Sequence, residues 1–156
     1  MAENIVIEKK EDVIKLTKSL IDKKIPLVSN LSNISRLLIE AFNDTSWSGF
    51  YLSNDKDEVL YLGPFQGGIA CTTIPYGKGV CGTSAKLKKT QLVPNVHEYP
   101  GHIACSSSTN SEIVVPIIKD GRVCGVIDLD SNEFSNYSEK DKEILEEVAK
   151  IIAELF

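Results

Sequence analysis

The chain has 156 residues, 42% of them hydrophobic and 25% charged, with a net charge of −5. That composition is ordinary for one globular domain and excludes the disordered, collagenous and membrane-embedded classes. A mildly acidic chain lacks the electrostatic footprint of a phosphate-backbone binder, which argues against nucleic acid as a partner. Four cysteines are too few for a disulfide scaffold.

The first residues, MAENIVIEKKEDVIK, lack the basic start, apolar run and cleavage site of a signal peptide. No apolar run approaches the ~18 residues of a membrane span. The expected compartment is the cytosol, where cysteines act as buried hydrophobes, metal ligands or redox groups. The chain shows no repeat or linker, so residues 1–156 are expected to form a single domain. Residues 11–22 place Val13, Leu16, Leu20 and Ile21 on one helical face. Pro26 sits where a second helix can begin, since a first turn needs no N–H there. From it Leu27, Leu31, Ile34, Leu38 and Phe42 recur every three or four residues.

The middle of the chain reads as strands. WSGFYLSNDKDEVLYLGPF is a hairpin around the polar turn 54–57, and EIVVPIIKDGRVCGVIDLDS is a second, turning at Asp120-Gly121. Between them GIACTTIPYG predicts a strand ending at Gly77, GVCGTSAKLKK a short helix and TQLV a short strand. Residues 95–111 are polar and aperiodic, and so long a loop points to function. The last element, 138–156, is an amphipathic helix that opens on the capping box Ser138/Asp141. Antiparallel strands with helices at both chain ends predict an α+β fold. The terminal helices have two uses open to them: covering one face of the sheet, or pairing across a two-fold axis in a homodimer.

Cys124 lies in an apolar strand and reads as core. Cys71 follows a Gly-Gly pair, and Cys81 stands near a helix start, where a thiolate is favoured. Cys105 sits among serines in the polar loop, with no packing reason to be there, and is the candidate nucleophile. A zinc site from Cys71, Cys81 and Cys105 with His97 or His102 is the competing reading. The cysteines are ten and twenty-four residues apart, unlike the close pairs of structural zinc sites. Asp128 and Asp130 share a strand face, with Leu129 on the other. The second hairpin brings them toward Glu112 at its open end, next to the Cys105 loop. Two acids on one face repel, and in a dry site one of them is held protonated. Trp47 and Tyr51 share a face of the first strand and could grip a small apolar group such as a methylthio group, with Phe50 opposite as core.

The segments SWSGFYL, LGPFQGGIACTTIPYGKGVCGTSA, VPNVHEYPGHIACSSSTNSEIVVPI and GVIDLDS resemble the free methionine-(R)-sulfoxide reductases, stand-alone enzymes of the GAF type, and cover most of residues 46–131. The resemblance implies a GAF-like central antiparallel sheet flanked by terminal helices. It implies that Cys105 is catalytic and that Cys71 or Cys81 resolves its oxidised form, Cys71 being preferred. Glu112, Asp128 and Asp130 would bind the sulfoxide oxygen and the ammonium, and Trp47 and Tyr51 the methyl group. Backbone N–H groups near Ile103 and Ala104 would take the carboxylate. It further implies free methionine-(R)-sulfoxide as substrate, thioredoxin as reductant and a part in repairing oxidised methionine, with no metal, nucleotide or flavin cofactor.

The chemistry is coherent on its own terms. A sulfoxide sulfur is a poor electrophile until its oxygen is protonated or strongly hydrogen-bonded, and a buried neutral carboxyl can supply that. Attack by a thiolate then leaves a sulfenic acid, which a second thiol converts to a disulfide. The competing class is a GAF-type sensor that binds a cyclic nucleotide or tetrapyrrole without turnover. A sensor normally carries an output domain, for which this length leaves no room, and it would have no use for the placed cysteines.

Overall fold

The computed structural model describes residues 5–103 and 105–156. Helix α1 spans Asp12–Leu20 and α2 spans Leu27–Ala41, the second starting directly after Pro26. The first hairpin is β1, Thr45–Asn54, with β2, Val59–Gln66; the second is β5, Ser111–Lys119, with β6, Arg122–Ser131. Between them come β3, Thr73–Pro75, α3, Gly79–Leu87, and β4, Gln91–Val93. The chain ends in α4, Glu139–Ala153, capped by the expected reciprocal hydrogen bonds of Ser138 and Asp141.

The predicted strand over GIACTTIPYG is shortened to Thr73–Pro75. Residues 67–72 leave the sheet instead, in a loop that begins at Gly67 with φ of +131°. The long polar segment carries one 3-10 turn, Val96–Glu98, and is otherwise irregular.

All pairings are antiparallel and give a six-stranded sheet in the order β3-β2-β1-β6-β5-β4. The two long hairpins meet where β1 pairs with β6. Alternation along these strands sorts side chains onto two faces. One face presents Phe50, Ile113, Val115, Ile117, Ile127 and Leu129 to α1, α2 and α4 and forms the larger core. The apolar stripes of the terminal helices are therefore used to cover the sheet. The other face presents Trp47, Tyr51, Val114 and Val126 to α3 and the flanking loops. Cys124 departs from its expected core position: it is half-buried, and its thiol approaches the Arg122 carbonyl at 3.8 Å near the hairpin turn. Strand pairing skips it, Ile117 pairing with Gly125 and Ile118 with Val123, so Cys124 stands at a register irregularity, packed only partly against the helical core.

Gly125 marks a close strand contact at the sheet centre. A Cβ there would stand 2.5 Å from the Tyr51 carbonyl oxygen of the neighbouring strand. The helical layer is remote from that second face. Ser138→Ala should therefore cost about 1 kcal/mol of stability through the lost cap without changing activity, a separation that urea unfolding and an activity assay on the same protein would check.

Candidate active site

The sheet register builds the site. Glu112 of β5 pairs with Asp130 of β6, and Asp130 pairs with Trp47 of β1. One rung over, Val114, Asp128 and Gly49 form the next row. Because side chains two apart share a face, Glu112, Asp128, Asp130 and Trp47 all rise from the same side of the sheet. Gly49 has to be small there: a Cβ would meet Phe65 Cβ at 2.4 Å and the Trp47 ring at 2.8 Å.

These residues floor a cavity of about 270 Å³. Trp47, Tyr51, Cys81, Ile103, Cys105, Glu112, Asp128 and Asp130 all line it, so the structure brings together nearly every residue singled out in the sequence. Cys71 is at its edge, bonded to Cys105 in a disulfide with a Cα–Cα distance of 5.6 Å and 34 residues of separation. Ala104 lies outside the described residues. The earlier zinc set is not assembled: two of its cysteines are bonded to each other, and His97 Nε2 is 2.8 Å from Asn110 Oδ1.

The aromatic residues do more than line a wall. The Trp47 ring stacks between Phe65, at 5.3 Å, and Tyr51, at 5.9 Å. Its Nε1–H donates to the Gly68 carbonyl at 3.1 Å, and the Tyr51 hydroxyl donates to the Cys71 carbonyl at 3.0 Å. Two rings fixed on β1 thus anchor the Gly67–Thr72 loop and set the position of Cys71. Ring stacking adds about 0.5–1.5 kcal/mol per pair beyond area burial.

Charge is handled by burial. Glu112 is 7% exposed and Asp128 4%, and no salt bridge among the described residues reaches either. Burial, reinforced by Asp128, pushes the Glu112 and Asp130 carboxyls well above the ordinary carboxylate range. Burial raises Asp128 as well, but hydrogen bonding with Glu112, Asp130 and Cys81 opposes the shift. Asp128 is thus the acid of the three whose upward shift its neighbours oppose most. One oxygen of Asp128 and one of Asp130, Oδ1 in each case, are buried without a hydrogen-bond partner among the described residues. Unpaired buried acceptors cost free energy unless a donor arrives, and both residues line the cavity.

Cys81 departs from expectation. It is the third residue of α3, where the helix end would favour a thiolate, yet it is 4% exposed. Its Sγ is 4.0 Å from Glu112 Oε1. Burial first, then the neighbouring Asp128 and Glu112, push its thiol well above the usual range, so burial and the acids outweigh the helix end and favour the SH form. The sequence reading also missed Lys78 and Gly79, which line the cavity at the first turn of α3. The available signal was Gly77-Lys78-Gly79, whose two glycines take φ of +81° and +61°. At Gly79 a Cβ would stand 3.1 Å from Ile103 Cγ1, so glycine is what lets the loop close on α3.

The chain matches the GAF domain family over residues 28–156. It is 50% identical over 141 residues to the free methionine-R-sulfoxide reductase of Saccharomyces cerevisiae, covering 86% of this chain and 78% of that one. The Escherichia coli protein of the same name is 42% identical over 130 residues, with 81% and 78% covered. Among solved structures, free methionine-R-sulfoxide reductase from Neisseria meningitidis in complex with its substrate superposes with a TM-score of 0.90 at 40% identity, covering 99% of this chain and 95% of that one.

The raised acids set a pH signature for the fold. Below the ordinary glutamate value of 4.5, Glu112 is neutral both folded and unfolded and carries no penalty. As pH rises past that value the unfolded chain ionises first, and stability falls until the folded pKa is reached. Glu112→Gln should therefore be more heat-stable than the parent at pH 7, with the gap in Tm closing toward pH 4. Calorimetry across that range would test it, and a parent protein more stable than the variant at pH 7 would contradict the assignment.

Proposed function

The chain belongs to the free methionine-R-sulfoxide reductases, oxidoreductases built on a GAF domain, and from that premise we propose that it reduces free L-methionine-(R)-sulfoxide to methionine at this cavity, using Cys105 as nucleophile and Cys71 as resolving thiol, with residues 1–156 acting as a single catalytic domain. The observation that carries the reading is the Cys71–Cys105 disulfide at the mouth of a cavity whose floor holds Glu112, Asp128 and Asp130.

In the reduced enzyme the substrate's ammonium takes the unpartnered oxygens of Asp128 and Asp130, where charge-assisted hydrogen bonds are the strong ones. Its carboxylate lies toward the Ile103 backbone, in the cavity that Lys78 also lines. Its methyl group lies against Trp47 and Tyr51. A neutral Glu112 or Asp130 donates to the sulfoxide oxygen and makes the sulfur electrophilic.

The Cys105 thiolate attacks that sulfur. With one proton taken up, the S–O bond of the substrate is exchanged for methionine, which departs, and Cys105 retains the oxygen as a sulfenic acid. The Cys71 thiol then attacks the Cys105 sulfur, expelling water and forming the disulfide. A dithiol reductant of the thioredoxin class returns both cysteines to thiols by exchange. Peptide-bonded methionine sulfoxide lacks the ammonium, which supports selectivity for the free amino acid.

Steady-state assay with a full thioredoxin system should show turnover of the free R epimer and little of the S epimer or of peptide-bound substrate; absence of turnover would sink the reading. In single-turnover experiments Cys105→Ser should release no methionine, whereas Cys71→Ser should still release one equivalent. Asp128→Asn should raise KM about 10–100-fold, in line with a lost charge-assisted hydrogen bond, and an unchanged KM would remove the ammonium from that position.

A further inference from the structure

The acid end of the cavity also holds a thiol that the proposed reaction leaves unused. The Cys81 sulfur and one carboxylate oxygen each from Glu112 and Asp128 all lie within 4.8 Å of one another, and all three residues are buried. They come from separate elements, α3, β5 and β6, each fixed by its own packing. The Sγ–Oε1 distance is 4.0 Å. Asp128, 4% exposed, keeps an unpartnered Oδ1 in the same place.

We propose that Cys81, Glu112 and Asp128 form a zinc site and that a Zn2+ held there excludes the substrate. The donor set is the argument for zinc: one soft sulfur with two carboxylate oxygens suits Zn2+ better than Mg2+ or Ca2+, which take oxygen alone. Zinc bonds of about 2.3 Å to sulfur and about 2.1 Å to oxygen place tetrahedral neighbours roughly 3.5 Å apart. The most widely spaced donors therefore need to close by up to about 1.3 Å, which side-chain rotation supplies. Three protein ligands leave the fourth position open toward the cavity.

This site differs from the set weighed in the sequence. The Cys71–Cys105 bond occupies two of those cysteines, whereas Cys81 remains a free thiol. On binding, the Cys81 proton and the proton held by Glu112 leave to solvent, and no electron is transferred. Occupancy follows from this geometry alone. Exclusion of substrate rests on the reductase reading, because the ion would take the Asp128 oxygen assigned to the ammonium.

The disulfide form isolates the site, since Cys81 and Cys124 are then the free cysteines. Equilibrium dialysis against Zn2+ alone should give one tightly held equivalent. The affinity should fall at least tenfold in Cys81→Ser and in Glu112→Gln and stay unchanged in Cys124→Ser. Co2+ in place of Zn2+ should give a thiolate charge-transfer absorption that Cys81→Ser abolishes, with circular dichroism verifying that each variant is folded. Free methionine-(R)-sulfoxide should weaken apparent zinc binding. Zinc affinity indifferent to Cys81→Ser, or no binding at all, would overturn the site, and binding unaffected by substrate would overturn exclusion. A protein that binds zinc through Cys81 yet shows no turnover in metal-free buffer would support the site while removing the reductase reading.

Discussion

Strand β6 is hydrogen-bonded to β1 on one side and β5 on the other, and that double register decides where each acid and ring of the cavity stands. A slip of one residue would turn Asp128 and Asp130 into the helical core and bring Leu129 out into the cavity. The register is protected by what lies on the far face. Phe50, Ile113, Ile127 and Leu129 are completely buried there under the terminal helices. Full burial of such side chains contributes about 1.5–3 kcal/mol each. The ordinary core thus holds a costly arrangement in place on its reverse side.

The cost is electrostatic. Three carboxyls and a thiol share one end of a small cavity, and the described residues offer them no cation in direct contact. Elsewhere the fold avoids this: buried Asp141 is 2.6 Å from the Lys10 ammonium and also caps α4. At the cavity burial instead favours the protonated form of the acids, least so at Asp128, where its neighbours oppose the shift. That arrangement offers a cationic group a place and a bound oxygen a proton donor at once. The aromatic residues couple it to the redox pair, because Tyr51 and Trp47 hold the loop that carries Cys71.

Much of this was legible in the sequence because it rests on short periods. Alternation in VIDLD put two aspartates on one face, the Asp-Gly turn set the hairpin, and Pro26 and Ser138 marked helix starts. Cys105 stood out because serines surround it in a polar loop. Three-dimensional terms were less accessible. Proximity to a helix start suggested a thiolate at Cys81, but the opposing acids come from strands thirty and more residues away. Cys124 looked like core because strand composition does not show that pairing shifts register around it. The anchoring of the Cys71 loop by Trp47 and Tyr51 had no linear signal, since it depends on carbonyls about twenty residues downstream.

The central claim is that the cavity keeps carboxyl protons at neutral pH beside the redox cysteines. Infrared difference spectroscopy on the reduced, ligand-free protein at pH 7 measures this directly. The account predicts a protonated-carboxyl C=O absorption that shifts in D2O and disappears when Glu112→Gln and Asp130→Asn are combined. A spectrum at pH 7 with ionised carboxylates alone, and no difference between the parent and that double variant in the protonated-carboxyl region, would contradict it.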